Sequence, residues 1–398
     1  MNFELAVMGM AALVIIGILL HHPSKTLGVP SLLIFMAVGL AFGNGEWNFV
    51  YDDFVTTSVI GGIALNIIVF VGGLNSPTAN IKRAWKEGGA LSSFGVVLTT
   101  LIFAGILYWL LDFDFITCLL FAAVVASTDA AAVFSIIEAK KLKLKENTDT
   151  VLEFESATND PVALVMVVIL TEILLNQGIM PPASEVALSL LSQIVLGCIA
   201  GFLIGKIAVK ALNYINLGEY GLVPVFILAC FALVTLGTDM VGGNVLIAAY
   251  ICGVIFGNEL KRGKEINKHF FNALSWLAQA LMFIILGLQI FPQQLLQVFL
   301  ISILPALLLI LVARPLAVQL VYLAFPKASS KKRLFISAIG LKGATPIVFA
   351  LIPAAAGVSE ASTILHMVFF IVLFSILLQG SLLAPLANRL GLNQRDEP

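Results

Sequence analysis

Residues 155–161 read Glu-Ser-Ala-Thr-Asn-Asp-Pro and run directly into the apolar stretch "VALVMVVIL". Two carboxylates (Glu155 and Asp160), the Ser156 hydroxyl and the Asn159 amide are thus carried into a segment with the composition of a membrane interior. On a helix, Ser156 and Asp160 share one face and Glu155 and Asn159 a neighbouring one. Pro161 has no N–H to give the carbonyl of Ala157, which leaves that oxygen free near the same site. Carboxylate, hydroxyl and carbonyl oxygens with no soft donor suit a hard monovalent cation. No His or Cys spacing points to a transition metal, and no cofactor is expected.

Three further ionisable residues fall inside apolar stretches: Asp129 in "ASTDAAAVFSII", Arg314 and Lys342. An ionised side chain at the bilayer centre costs about 2.5–3.5 kcal/mol on insertion scales, so such residues line ion paths or pair with one another. Glu155 with Lys342 or with Arg314 reads equally well as a structural ion pair. Asp129 and Asp160 read as ion-path groups, because both sit where the helix itself looks broken. Glu153 and Glu172 lie near helix ends and read as wetted. His366 and the four cysteines (Cys118, Cys198, Cys230, Cys252) read as packing residues.

These groups define a mechanism. Burial favours the neutral form of a carboxylate and a bound cation favours the charged form. Proton and cation therefore compete for one group, for which Asp160 is the candidate, and only the loaded forms are neutral enough to cross an apolar barrier.

The elements that must position them are membrane helices. Of the 398 residues, 60% are hydrophobic and 11% charged, against about 25% charged in soluble domains. Apolar stretches recur along the whole chain, each long enough for a hydrocarbon core of ~30 Å. Punctuation by Gly, Pro, Asn and charge predicts an all-α polytopic membrane protein of thirteen transmembrane helices. They begin near Glu4, Leu27, Val55, Gly88, Ile116, Asp149, Ser184, Tyr220, Gly243, Phe270, Gln293, Lys332 and Ala361. Twenty of the 22 Lys and Arg residues fall in alternate loops and the C-terminal tail. The positive-inside rule then sets the N-terminus outside and the C-terminus in the cytoplasm, in a multi-pass protein of the cell (inner) membrane. With its basic residues after it rather than before it, the first helix reads as retained and not as a signal peptide.

The fifth predicted helix carries Ser127, Thr128 and Asp129 at its middle, and the twelfth is interrupted by Gly340, Gly343 and Pro346. Helices seven apart face opposite ways if two six-helix repeats, helices 1–6 and 8–13, are joined by one linking helix. Inverted repeats with interrupted helices at matching positions point to a transporter site near the midplane. There, half-helix ends offer free carbonyls to a cation, while Lys342 or a carboxylate balances the dipoles.

At "ASTDAAAVFSII" and "ESATNDP" the chain resembles the monovalent cation/proton antiporter family, NhaP type, and within it the potassium/proton antiporter branch (cell volume regulation). The resemblance covers nearly the whole chain: thirteen helices, the Thr128-Asp129 pair, the Glu-Ser-x-x-Asn-Asp-Pro motif, Arg314, and a basic residue in a Gly-flanked break. It implies Asp160 as the exchanged carboxylate, with Asp129, Ser156 and the Thr128 backbone as cation ligands. It further implies that Asn159 holds the crossing together and that Glu155 pairs with Lys342. Within a membrane domain over 1–392 it implies core helices within 88–176 and 293–392, interface helices within 4–74 and 220–290, and a linking helix at 184–216. Residues 393–398 would be a cytoplasmic tail. A homodimer embedded in lipid, exchanging K⁺ or Na⁺ for H⁺, is implied, and Asn159 in place of a second Asp implies electroneutral exchange. Nucleic acid is not an expected partner.

Two features depart from the family pattern. Lys342 stands where relatives usually carry Arg, a point charge in place of a bidentate fork. Many relatives also carry a cytosolic regulatory domain where this sequence ends at "NQRDEP", so either that regulation is missing or the sequence is a shortened one. The alternative function is a cation-coupled symporter of a small organic anion, with Arg314 facing the substrate. An enzyme is not expected, because the outside loops are short and lack His and Cys, and no nucleotide motif is present.

Overall fold

In lipid every backbone polar group must be satisfied within the protein, so long apolar runs become helices. The computed structural model describes residues 3–27, 31–44, 51, 53–129, 133, 137, 140, 142–215, 219, 221–261 and 263–394. Among them the architecture is all-helical, and eight helical stretches are long and apolar enough to cross a membrane.

The first half comprises α1 (Phe3–Leu27), α2 (Ser31–Phe42), α3 (Phe54–Leu74), α4 (Thr78–Ala90), α5 (Val96–Leu110), α6 (Phe115–Ala126), α7 (Thr148–Thr158) and α8 (Asp160–Leu175). The second comprises α9 (Ala183–Tyr214), α10 (Leu222–Met240), α11 (Val245–Glu259), α12 (Lys264–Gln289), α13 (Pro292–Leu308), α14 (Arg314–Tyr322), α15 (Ser330–Ala338), α16 (Thr345–Ala355) and α17 (Ala361–Arg389).

Most predicted starts lie close to the observed ones. The fourth does not: α4 begins at Thr78, so Lys82, Arg83 and Lys86 are helical rather than in a loop. The reason is amphipathic patterning, with Ala84 and Gly88 buried while the charged residues face outward. A π turn at Leu91–Gly95 then joins α4 to α5, and a second at Leu309–Ala313 joins α13 to α14. The tenth helix also starts early, at Lys264.

The packing separates two sets of helices. One core contains α3, α9, α10, α11 and α12, with Phe70, Phe231, Phe256 and Phe271 at its centre. Here α3 and α11 approach until their backbones touch: a Cβ at Gly253 would overlap the Phe70 carbonyl, and one at Gly73 the Tyr250 carbonyl. Small residues permit such contact in membrane bundles. On the other side α6 packs on α5 and α8, α4 on α7, and α17 on α13 and α16.

Both predicted interruptions lie in this second set. Helix α6 stops at Ala126, and Ser127–Asp129 are non-helical, Ser127 in extended geometry. The continuation expected at "AAAVFSIIEAKK" falls largely outside the described residues. Between α15 and α16 the chain leaves the helix over Ile339–Ala344. The N-terminus of α6 is capped by Asp114, which accepts from the amides of Ile116 (2.8 Å) and Thr117 (3.1 Å). Burial pushes the Asp114 carboxyl up, but these bonds and the Thr117 hydroxyl hold it below its ordinary value.

Candidate functional site

Where α6 ends, four carbonyls lose their helical partners. Lys342 supplies donors to two carbonyls at this end. Its Nζ donates to Ala126 O at 2.8 Å and Ser127 O at 2.7 Å, so a cation sits on the negative end of the half-helix. The crossing is closed by the backbone: Asp129 N donates to Leu341 O at 2.8 Å, and Ala344 N donates to Asp129 Oδ2 at 3.2 Å. A Cβ at Gly343 would overlap the Asp129 carboxylate, which is why glycine stands there.

The break in the second half is held by the last helix. The Ser375 hydroxyl accepts from Lys342 N at 2.8 Å and donates to Gln379 Oε1 at 2.6 Å. Gln379 Nε2 then donates to Ala338 O at 2.9 Å. One freed amide and one freed carbonyl are thereby satisfied from α17. Neither residue is among the candidates that the sequence suggests, although a Ser-x-x-x-Gln pair four apart in an apolar helix is a visible signal.

Glu155 does not pair with Lys342. Both its oxygens are held by Arg314, Nη1 to Oε1 at 2.8 Å and Nη2 to Oε2 at 3.0 Å, with both residues at most 1% exposed. The planar guanidinium matches a carboxylate fork as an ammonium cannot. With Arg314 engaged by Glu155, the Lys342 ammonium is left to the carbonyls.

Around Asp160 the structure gathers the other predicted residues. Thr128 Oγ1 and Ser156 Oγ lie 2.9 Å apart, and Asn159 Nδ2 donates to Thr128 Oγ1 at 2.5 Å, tying α7 to the α6 break. The Thr345 hydroxyl, at the start of α16, donates to Asp160 Oδ2 at 3.4 Å. Ser127 and Asp129 also face this carboxylate. Three buried oxygens, Ser127 Oγ, Asn159 Oδ1 and Asp160 Oδ1, make no hydrogen bond among the described residues. A concentration of uncommitted oxygens around a buried carboxylate fits a cation and not an anion.

Asp129, Ser156, Asp160 and Thr345 line a cavity of about 560 Å³. Its far wall comes from α3 and from Lys268, Asn272, Ser275 and Gln279 of α12, at helical spacings of four, three and four. Glu153 lines it too; it was expected to be merely wetted. Of the remaining candidates, Glu172 is exposed. His366 is buried between Ser362 O and Phe291 N.

The family model described as "Sodium/hydrogen exchanger, transmembrane" matches residues 10–389. The chain belongs to this family. It is 36% identical over 379 residues to the K(+)/H(+) antiporter NhaP2 of Shewanella oneidensis, an alignment covering 95% of this chain. It spans 66% of that relative's length. The K(+)/H(+) antiporter NhaP of Alkalimonas amylolytica is 32% identical over 98% of this chain and 67% of its own. Among solved structures, the sodium proton antiporter MjNhaP1 from Methanocaldococcus jannaschii superposes with a TM-score of 0.84. That alignment covers 98% of this chain and 99% of the archaeal one at 24% identity, so it speaks to the fold. The family resemblance and the integral membrane character expected from the motifs are thereby established.

Proposed function

We propose that this chain exchanges one monovalent cation, K⁺ or Na⁺, for one proton, with both competing at Asp160. Charge balance carries the reading. Counted as ionised, the buried cluster holds three carboxylates (Asp129, Glu155, Asp160) and two cations (Arg314, Lys342). The Glu155–Arg314 pair cancels internally, and the remaining unit of negative charge is neutralised by one monovalent ion or one proton. Either load leaves a neutral core able to move past apolar surface, while a divalent ion would leave a surplus positive charge. Exchange is then electroneutral.

In this reading Asp129, Ser156 and the Thr128 segment provide further oxygen ligands, and Asn159 holds the crossing. The names of the relatives favour K⁺ as the first ion to test. Thirteen spans in two inverted repeats are supported by a correspondence beyond the two breaks. The span built from α4 and α5 and the span built from α13 and α14 each contain a π turn, at matching places in the proposed repeats. The helices from α4 to α8 and from α13 to α17 form the moving core. The helices α1–α3 and α10–α12 form an interface domain that pairs in a homodimer, and α9 links the halves. The cavity reaches Lys143, in a basic loop, and Lys268, near the basic N-terminal end of α12, so it opens to the cytoplasm of a cell-membrane protein with its N-terminus outside.

Symport of an organic anion is disfavoured because Glu155 occupies both terminal nitrogens of Arg314, the cation such a substrate would require. The test is dissipation of a pH gradient in proteoliposomes on addition of K⁺, Na⁺ or Li⁺. Wild type responds to at least one cation and Asp160→Asn to none. Equal activity of the variant would remove Asp160 from the exchange step.

A further inference from the structure

Asp160 is not the only carboxylate in the cavity. Glu153 precedes it by seven residues, two helical turns, so the two lie on one face about 10 Å apart with Ser156 and Ala157 between them. That separation is too great for one ion to bridge. The cavity wall also carries Lys143 and Lys268, whose charge opposes the approach of a cation. The neighbouring Asp149 is committed to the chain, accepting from Leu144 N at 3.2 Å and Thr150 N at 2.8 Å. Glu153 accepts no hydrogen bond and joins no ion pair among the described residues, although two lysines line the same cavity.

The facing wall is polar along its length. Asn272, Ser275 and Gln279 follow Lys268 along one face of α12. Asn75 Nδ2 donates to Asn272 Oδ1 at 3.0 Å, and Gln279 Nε2 donates to Ser275 Oγ at 3.1 Å. These bonds use one donor each of Asn75 and Gln279 and one lone pair each of Asn272 Oδ1 and Ser275 Oγ, so the amide and hydroxyl oxygens of this wall keep further acceptor capacity. A membrane helix carries such a stripe at a cost unless it faces water or an ion path.

We propose that Glu153 forms a second monovalent-cation station in this cavity, holding the partly hydrated ion opposite the α12 stripe before it passes to Asp160. The station offsets the basic mouth and raises the cation concentration beside the exchange carboxylate. It rests on Asp160 being that carboxylate.

Two measurements test it. In proteoliposomes, Glu153→Gln raises the half-saturating K⁺ concentration about fivefold, as loss of a unit charge at roughly 10 Å in a partly hydrated cavity requires. It affects that concentration more than the maximal rate. Glu153→Asp restores part of the loss, and Lys268→Gln moves the value the other way. In detergent, Tl⁺ or K⁺ titrated calorimetrically into Asp160→Asn retains a weak binding event that disappears in Asp160→Asn/Glu153→Gln. An unchanged half-saturating concentration in Glu153→Gln, or identical titrations of the two Asp160 variants, would overturn the station. Transport by Asp160→Asn alone would instead overturn the exchange reading on which it rests.

Discussion

Glu155 and Arg314 show how one residue choice settles the job of another. Once the guanidinium takes both carboxylate oxygens, the Lys342 ammonium is released to the end of α6. Removing either partner of a fully buried pair leaves an uncompensated charge, at a cost of about 3–5 kcal/mol. Glu155→Leu and Arg314→Met are each expected to lower thermal stability in detergent, whereas Glu155→Leu/Arg314→Met recovers most of the loss. A double-mutant cycle on melting temperature checks this, and strictly additive losses would refute the pairing. The motif made Glu155 and Asp160 visible as intramembrane carboxylates. The choice of partner was not legible, because Arg314 and Lys342 are equally remote in sequence and only packing distinguishes them.

At the scale of elements, both predicted breaks were readable from residues that interrupt apolar runs, Ser127 to Asp129 in one case and Gly340 to Pro346 in the other. What holds the second break open was not, since it depends on Ser375 and Gln379 of a helix that reads as plain membrane span. Ser375→Ala leaves Lys342 N without an acceptor, and Gln379→Ala leaves Ala338 O without a donor. Each should cost about 1–3 kcal/mol, the penalty for an unsatisfied buried group. Cation affinity should weaken alongside stability, because the segment so held carries Gly343 against Asp129. Melting temperature with and without saturating K⁺ reads both effects. A Ser375→Ala variant with wild-type stability and affinity would show that the break needs no such support. The early start of α4 is the converse case, where charged residues were read as a loop although they lie on the outer face of an amphipathic helix.

Over the whole molecule, two helical sets enclose a cavity that runs from Asp160 to Lys268. Access from one side only is the property that separates a carrier from a channel. With Cys118, Cys198, Cys230 and Cys252 replaced, Ser275→Cys should react with a membrane-impermeant thiol reagent in inside-out vesicles and much less in right-side-out ones. Equal labelling from both sides would contradict alternating access, and the reverse preference would invert the orientation.

The sequence by itself determined the membrane class, the family, the helical order and the identity of the intramembrane charges. The family follows from the resemblance carried by the Thr128-Asp129 pair and the Glu155–Pro161 motif; the others follow from local composition: apolar length, charge alternation, and polar or Gly/Pro interruptions within one segment. Tertiary structure alone decided that Arg314 rather than Lys342 neutralises Glu155, that Lys342 caps α6, and that α17 supports the α15–α16 break. It also placed a polar stripe of α12 opposite Glu153 and Asp160. These are contacts between residues tens to hundreds of positions apart, and they are selected by which donor physically reaches which buried acceptor once the helices are packed.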